Sequence, residues 1–175
     1  MIEIRPALVG DCPGIARVQV DSFRDTFTGL LPDQYLEHFS YQEQEQDWRD
    51  LFAAHSQQVL YVAGDPAGVI LAYGLGKPNS DEILGYDGEL VALHVRRAHQ
   101  HRGFGRQLFA AVSRELAARD CGSLFLWVLD DNPAHGFYQR LGGEMLAVKP
   151  WRNNSYFGTK IRETAYGWPD ISRLF

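Results

Sequence analysis

Residues 89–108 read ELVALHVRRAHQHRGFGRQL, and the fold turns on this stretch. Glu89 to Val95 is a mostly apolar run with β-branched members, which predicts a strand. From Arg106 to about Ala118 apolar residues recur at i, i+3 and i+4 in an alanine-rich segment, which predicts an amphipathic helix. Between the two lies a basic loop that ends in Gly103-Phe104-Gly105. The start of a helix leaves backbone N–H groups unpaired and carries partial positive charge. Glycine lets that backbone come close to a ligand. Strand, glycine loop and helix together predict a site for an anion such as a phosphate or pyrophosphate.

Charge supports this reading. Leu90 to Arg114 holds no Asp or Glu over 25 residues, where about three are expected from 22 acids in 175. Arg96, Arg97, Arg102, Arg106 and Arg114 gather there with His94, His99 and His101. The whole chain carries a net charge of −5, which argues against a nucleic-acid partner and for a local anionic ligand. Spacing then narrows the ligand. A dinucleotide loop needs a third glycine three residues after the second, and Leu108 stands there. A triphosphate loop needs Gly-Lys-Ser/Thr after four spacers, which the chain lacks. What remains is Gln100-x-x-Gly103-x-Gly105.

Working outward, Ile2–Arg5 alternates before Pro6 and predicts a strand. Asp11 is an expected N-cap for a helix over about Cys12–Phe27, with Ile15, Val18 and Ser22 on one face. Asp33–Glu37 and Tyr41–Ala54 predict two more helices, the latter with Trp48, Leu51 and Phe52 as its apolar side. Gln58–Ala63 and Val69–Leu75 flank turn residues and predict a hairpin. Gly122 is the expected end of the helix after the glycine loop. Ser123–Leu129 predicts a buried strand, about Pro133–Leu141 a short helix closed by Gly142-Gly143, and Glu144–Lys149 and about Ser155–Tyr166 two last strands. The fold class is α/β: a mixed, largely antiparallel sheet with one βαβ crossover around the loop.

The length of 175 residues suits one domain, 1–175. With 45% apolar and 22% charged residues the composition is that of a soluble globular protein. No run reaches the ~18–20 apolar residues of a membrane span. The N-terminus lacks a signal-peptide pattern, and Cys12 and Cys121 have no paired spacing. The expectation is a cytoplasmic protein without a membrane partner. His94, His99 and His101 lack a carboxylate or thiolate partner at ligand spacing, so a metal is rejected.

Leu93-His94-Val95, then four residues, then Gln100-His101-Arg102-Gly103-Phe104-Gly105-Arg106-Gln107-Leu108 resembles the coenzyme A signature of the GNAT superfamily of N-acetyltransferases. The resemblance implies that the backbone of residues 101–106 (His101, Arg102, Gly103, Phe104, Gly105, Arg106) cradles the pyrophosphate of acetyl-CoA as cosubstrate. It implies that the strand ending Leu93-His94-Val95 pairs with the pantetheine arm, which lies between this strand and Ser123–Leu129 where the two splay apart. Charge alone adds Arg96, Arg97 and Arg102 as candidates for the nucleotide end.

Asp131-Asn132-Pro133-Ala134-His135-Gly136-Phe137-Tyr138-Gln139-Arg140-Leu141-Gly142-Gly143 looks like the second GNAT signature. It implies that Asn132 bonds the pantetheine and that Tyr138 stands near the sulfur, as a general acid for the departing thiolate or as a hydrogen-bond donor to it. In many relatives the Asn lies seven residues before the Tyr; here Asn132 lies six before and Asp131 seven, so both remain candidates. Gly143 stands where an aromatic is usual, which implies altered packing beneath the helix. Segments Ser22–Leu51 and Glu163–Asp170 are also similar to a broad group of bacterial GNAT proteins.

An amine must be neutral to attack a thioester, so a base is needed. Glu89 is the first candidate, since family members often place a Glu in that region, and Asp87 is the alternative. The expected reaction is direct transfer of acetyl to a primary amine of a small molecule or peptide. Neither signature contains Cys, which argues against an acyl-cysteine intermediate. The other reading is a non-catalytic acetyl-CoA sensor or partner-binding domain on the same fold. Eight acids between Asp21 and Asp50 suggest either an acidic wall for a cationic acceptor or the solvated side of helices. Tyr166 and Trp168 are candidates for the acceptor cleft, a dimer contact or simple packing. The resemblance leaves room for a homodimer, since dimers are common in the superfamily.

Overall fold

The computed structural model describes residues 2–29, 31–37, 39–54, 57–79 and 84–175. In chain order the elements are β1 (Glu3–Pro6), α1 (Cys12–Phe27), α2 (Asp33–Glu37), α3 (Tyr41–Ala53), β2 (Val59–Gly64), β3 (Ile70–Pro78), β4 (Gly88–Val95), α4 (Phe104–Ala117), β5 (Leu124–Leu129), α5 (His135–Arg140), β6 (Glu144–Pro150), α6 (Asn154–Phe157) and β7 (Arg162–Trp168). The strands form one sheet in the order β1-β2-β3-β4-β5-β7-β6. Among the described residues β4 and β5 are its parallel pair, joined by the crossover through α4.

Each face of the sheet buries a different helix layer. On one face Ile15, Ala16 and Val18 of α1 and Trp48 of α3 pack on Val62, Ile70, Tyr73 and Leu75. On the other, α4 lays Phe109, Val112 and Leu116 against Leu90, Leu124 and Leu126, with Tyr138, Tyr166 and Trp168 alongside. Leu108, Phe109, Val112 and Leu116 are 1% exposed or less. Each such side chain contributes about 1.5–3 kcal/mol, so the helix that carries the glycine loop is held firmly at its middle.

Two irregularities shape the site. First, Leu75 pairs with Ala92 but Gly76 pairs with Leu90, which leaves Val91 as a bulge in β4. The extra residue brings both Leu90 and Leu93 to the α4 face, although an odd number of positions separates them. Second, β4 and β5 pair only at Gly88–Leu124 and Glu89–Phe125. Asp87 pins that end: its carboxylate accepts from the Gly122 N–H at 2.9 Å and the Ser123 hydroxyl at 3.3 Å. Beyond Glu89 the strands part into a V.

Several local expectations need correction. Asp11 does not cap α1; its carboxylate is taken by Arg5 at 2.7 Å and by the Leu8 N–H at 2.8 Å, the Arg5 guanidinium holding it below its usual carboxylate range. Gly122 does not end α4. The helix stops at Ala117, and Asp120 takes the left-handed turn at φ 65°. The first half of the expected last strand is instead α6 and a turn. Asn154 organises it, donating to the Ile161 carbonyl and accepting from Thr159 and the Ile161 N–H. Gly143 lacks an aromatic because one already fills the space. A Cβ there would stand 2.8 Å from the Trp168 ring, whose N–H donates to the Leu141 carbonyl at 2.8 Å.

Candidate active site

The V between β4 and β5 opens into a cleft of about 470 Å³. Its walls are Leu93, His94 and Val95 of β4, the loop and first turn of α4, Asn132 to Ala134 after β5, Phe137, Tyr138 and Arg140 at α5, and Ser22, Thr26 and Phe27 of α1.

The β4 wall is an open strand edge. The Arg96 N–H donates to Leu71 of β3 at 3.0 Å. Backbone groups alternate along a strand, so those of Val95 and Leu93 turn the other way, where β5 has departed. Gln100 Nε2 donates to the Val95 carbonyl at 3.2 Å and so ties the loop to the strand. Two left-handed residues, His101 at φ 60° and Gly103 at φ 85°, then reverse the chain into α4. Gly103 is the N-cap; its carbonyl accepts the Gln107 N–H at 3.0 Å. The N–H groups of the next residues have no intrahelical partner, and this first turn lines the cleft. An anionic ligand there gains from both the free N–H groups and the helix dipole.

The basic residues divide. Arg106 lines the cleft. Arg96 turns away to Asp21 at 3.1 Å, and with Arg97 it lines a neighbouring hollow. Arg102 does not appear on either wall. Of the downstream pair, Asn132 faces the cleft and Asp131 is exposed outside it. Asn132 Oδ1 accepts the Ala134 N–H at 2.9 Å, which leaves its amide group to donate.

Tyr138 is 8% exposed, and its ring packs against Phe137, Tyr166 and Trp168. Burial raises its phenol above the ordinary value, so it stays protonated through neutral and mildly alkaline pH. Its hydroxyl has no hydrogen-bond partner among the described residues. The helix beneath it is anchored by a network that sequence reading missed. His135 Nε2 lies 2.9 Å from the Leu129 carbonyl and Nδ1 lies 3.0 Å from the Tyr166 hydroxyl, which also accepts from Gln139 at 3.2 Å. A carbonyl only accepts, so the Nε2–H donates to it and, in that tautomer, Nδ1 accepts a hydrogen bond from the Tyr166 hydroxyl. The signal was present: His135 precedes Tyr138 by three residues, one helical turn. Tyr166 and Trp168 are thus packing and anchoring residues, each 3% exposed.

Glu89 stands at the closed end of the V, in the last β4–β5 pair, and forms an ion pair with Lys77 at 3.1 Å. It is not on the cleft wall. Asp87 is occupied by Gly122 and Ser123. The eight acids of α1 to α3 do not line the cleft either.

His94 stacks on Tyr73, ring centroids 5.3 Å apart, and burial pushes its imidazole down to about 4. The unfolded chain, at about 6.5, then binds the proton more tightly than the folded one. Stability from this group is complete above pH ~6.5 and is lost as the pH falls toward 4. Urea unfolding at pH 7 and pH 5 should show a smaller acid loss for His94→Phe than for the parent chain. Equal losses would contradict the assignment.

Comparison with known proteins fits this geometry. The FR47-like protein family matches residues 79–152. The N-acetyltransferase YuaI of Bacillus subtilis, itself uncharacterised, is 34% identical over 99% of this chain and 96% of its own. The PaiA N-acetyltransferase of Thermoplasma acidophilum, whose crystal structure holds coenzyme A, superposes with a TM-score of 0.72 at 17% identity, covering 96% of this chain and 99% of that one. An N-acetyltransferase from Staphylococcus aureus gives 0.72 at 15% identity over 98% and 99%. Such a sheet, site and kinship define an acetyltransferase. The chain belongs to the GNAT superfamily of N-acetyltransferases.

Proposed function

We propose that this single domain, residues 1–175, transfers the acetyl group of acetyl-CoA to a primary amine of a small molecule or peptide by direct attack. The observation that carries the proposal is the V between β4 and β5, with the glycine-capped start of α4 at its mouth and Tyr138 on its wall. The coenzyme A in the Thermoplasma structure supports the choice of cosubstrate.

In this reading the backbone of residues 101–106 and Arg106 hold the pyrophosphate. The outward backbone groups of Leu93 and Val95, whose carbonyl also accepts from Gln100, pair with the pantetheine amides, and Asn132 donates to the arm. A β4 N–H near Val95 polarises the thioester carbonyl, and the attacking amine forms the new C–N bond as the C–S bond breaks. Tyr138 gives its proton to the thiolate. Glu89 takes the amine proton through water, since it stands at the closed end of the V, paired with Lys77 and off the cleft wall. Two buried thiols without a disulfide fit a reducing compartment, and the cytoplasm is part of the proposal.

Single-turnover thiol release from acetyl-CoA, with a panel of primary amines and mass detection of the amide, tests it. Amine-dependent release, slowed at least about tenfold by Glu89→Gln, is expected. Tight CoA binding without release to any amine would overturn the proposal.

A further inference from the structure

Acetyl transfer as proposed employs β4, the α4 turn, Asn132 and α5. The fifth wall, α1, has no part in it. That wall presents Ser22, Thr26 and Phe27. Ser22 is 4% exposed, and its hydroxyl is buried without a hydrogen-bond partner. An unpaired buried hydroxyl is unfavourable unless something meets it. Ser113 of α4 has an equally unpaired hydroxyl, but it lies off the cleft. Of the two, Ser22 belongs to the wall of the cleft.

The electrostatics of the cleft are also selective. Among the described residues, none that lines it is an Asp or Glu. Asp21 and Asp25 neighbour Ser22 in sequence but face the adjacent hollow, and Asp21 is held there by Arg96 and by the Tyr41 hydroxyl at 2.7 Å. Among the described lining residues the arginines are Arg106 and Arg140, His99 and His101 also stand on the wall, and the His94 ring is neutral at pH 7. A second positive charge on the acceptor would find no counter-charge.

We infer that Ser22 recognises the acceptor, and that the acceptor is a monoamine bearing an uncharged hydrogen-bonding group, a hydroxyl or amide, rather than a polyamine. The inference rests on the acetyl-transfer reading and deepens it. It excludes the acidic-wall alternative for a cationic acceptor.

Three amines of matched length test it with the full chain and acetyl-CoA: butylamine, aminobutanol and diaminobutane. By kcat/KM, aminobutanol should exceed butylamine about tenfold, the worth of one well-made hydrogen bond, and diaminobutane should be the poorest. Ser22→Ala should collapse the ratio of aminobutanol to butylamine toward one, while Ser113→Ala, a control for loss of a buried hydroxyl, keeps it. Calorimetric CoA affinity reports that both variants fold. Diaminobutane as the best substrate, or a ratio that survives Ser22→Ala, overturns the inference and leaves the transferase reading standing. Release with none of the three, while another primary amine of the wider panel is acetylated, overturns the inference alone; release with no amine of the panel, while CoA still binds, overturns the transferase reading and the inference with it.

Discussion

Tyr138→Phe should lower kcat about a hundredfold while leaving the KM for acetyl-CoA nearly unchanged. The change removes one oxygen from a ring packed among Phe137, Tyr166 and Trp168. That oxygen has no partner among the described residues, so stability should hardly move. Its role belongs to the moment when the thiolate leaves. A thiolate departing without a proton is a poorer leaving group, and the loss therefore falls on kcat. Because burial raises the phenol, the parent enzyme should show no activity loss from this group below pH ~10. Steady-state kinetics from pH 6 to 10 check both points. A kcat within about threefold of the parent would remove Tyr138 from the chemistry.

Gly103→Ala should weaken acetyl-CoA binding about tenfold, with a smaller effect on kcat. Space is not the obstacle, since the nearest atom to an added Cβ is Gln107 Nε2 at 3.5 Å. The backbone is: Gly103 sits at φ 85°, where an L residue costs about 1–2 kcal/mol. Without ligand the loop can relax from that conformation, and CoA must restore it, so the cost appears as affinity. Gly105→Ala offers the contrast. Its φ is not left-handed, and its added Cβ meets the Phe137 ring at 3.4 Å, ordinary contact. Calorimetry on both variants separates the two effects. Equal CoA affinity for Gly103→Ala and the parent would contradict the role given to this glycine.

The glycine loop and the helix after it were legible because they obey local rules. A left-handed N-cap needs Gly, and α4 needs its apolar period; both are written within fifteen residues of Gly103. The parallel β4–β5 pair followed from the same stretch, and the V from the family resemblance that it carries. What stayed hidden depends on partners distant in sequence. Asp11 reads as a helix cap, but Arg5 on β1 competes for it and wins with a charge-assisted pair. Asn154 bends the first half of a segment expected as the last strand. The vacancy at Gly143 makes sense only with Trp168 on β7 in place.

The site followed the same division. Gly103, Gly105 and Tyr138 stand at motif positions, Asn132 lies one residue short of the usual spacing, and all four lie together on the cleft. Ser22 gave no sign in sequence beyond its place on the inner face of α1. Its unpaired hydroxyl is visible only once β4 and α1 are brought together. Arg96 and Arg97 looked like ligand contacts from charge alone, but Asp21 draws Arg96 to the neighbouring hollow.

The central claim is that the turn from His101 to Arg106 holds the pyrophosphate of the cosubstrate. A crystal structure of the chain with coenzyme A tests it most directly. The account predicts phosphate oxygens within hydrogen-bond distance of the backbone N–H groups at the start of α4, with the pantetheine arm in the V between β4 and β5. A pyrophosphate bound away from residues 101–106 would contradict it.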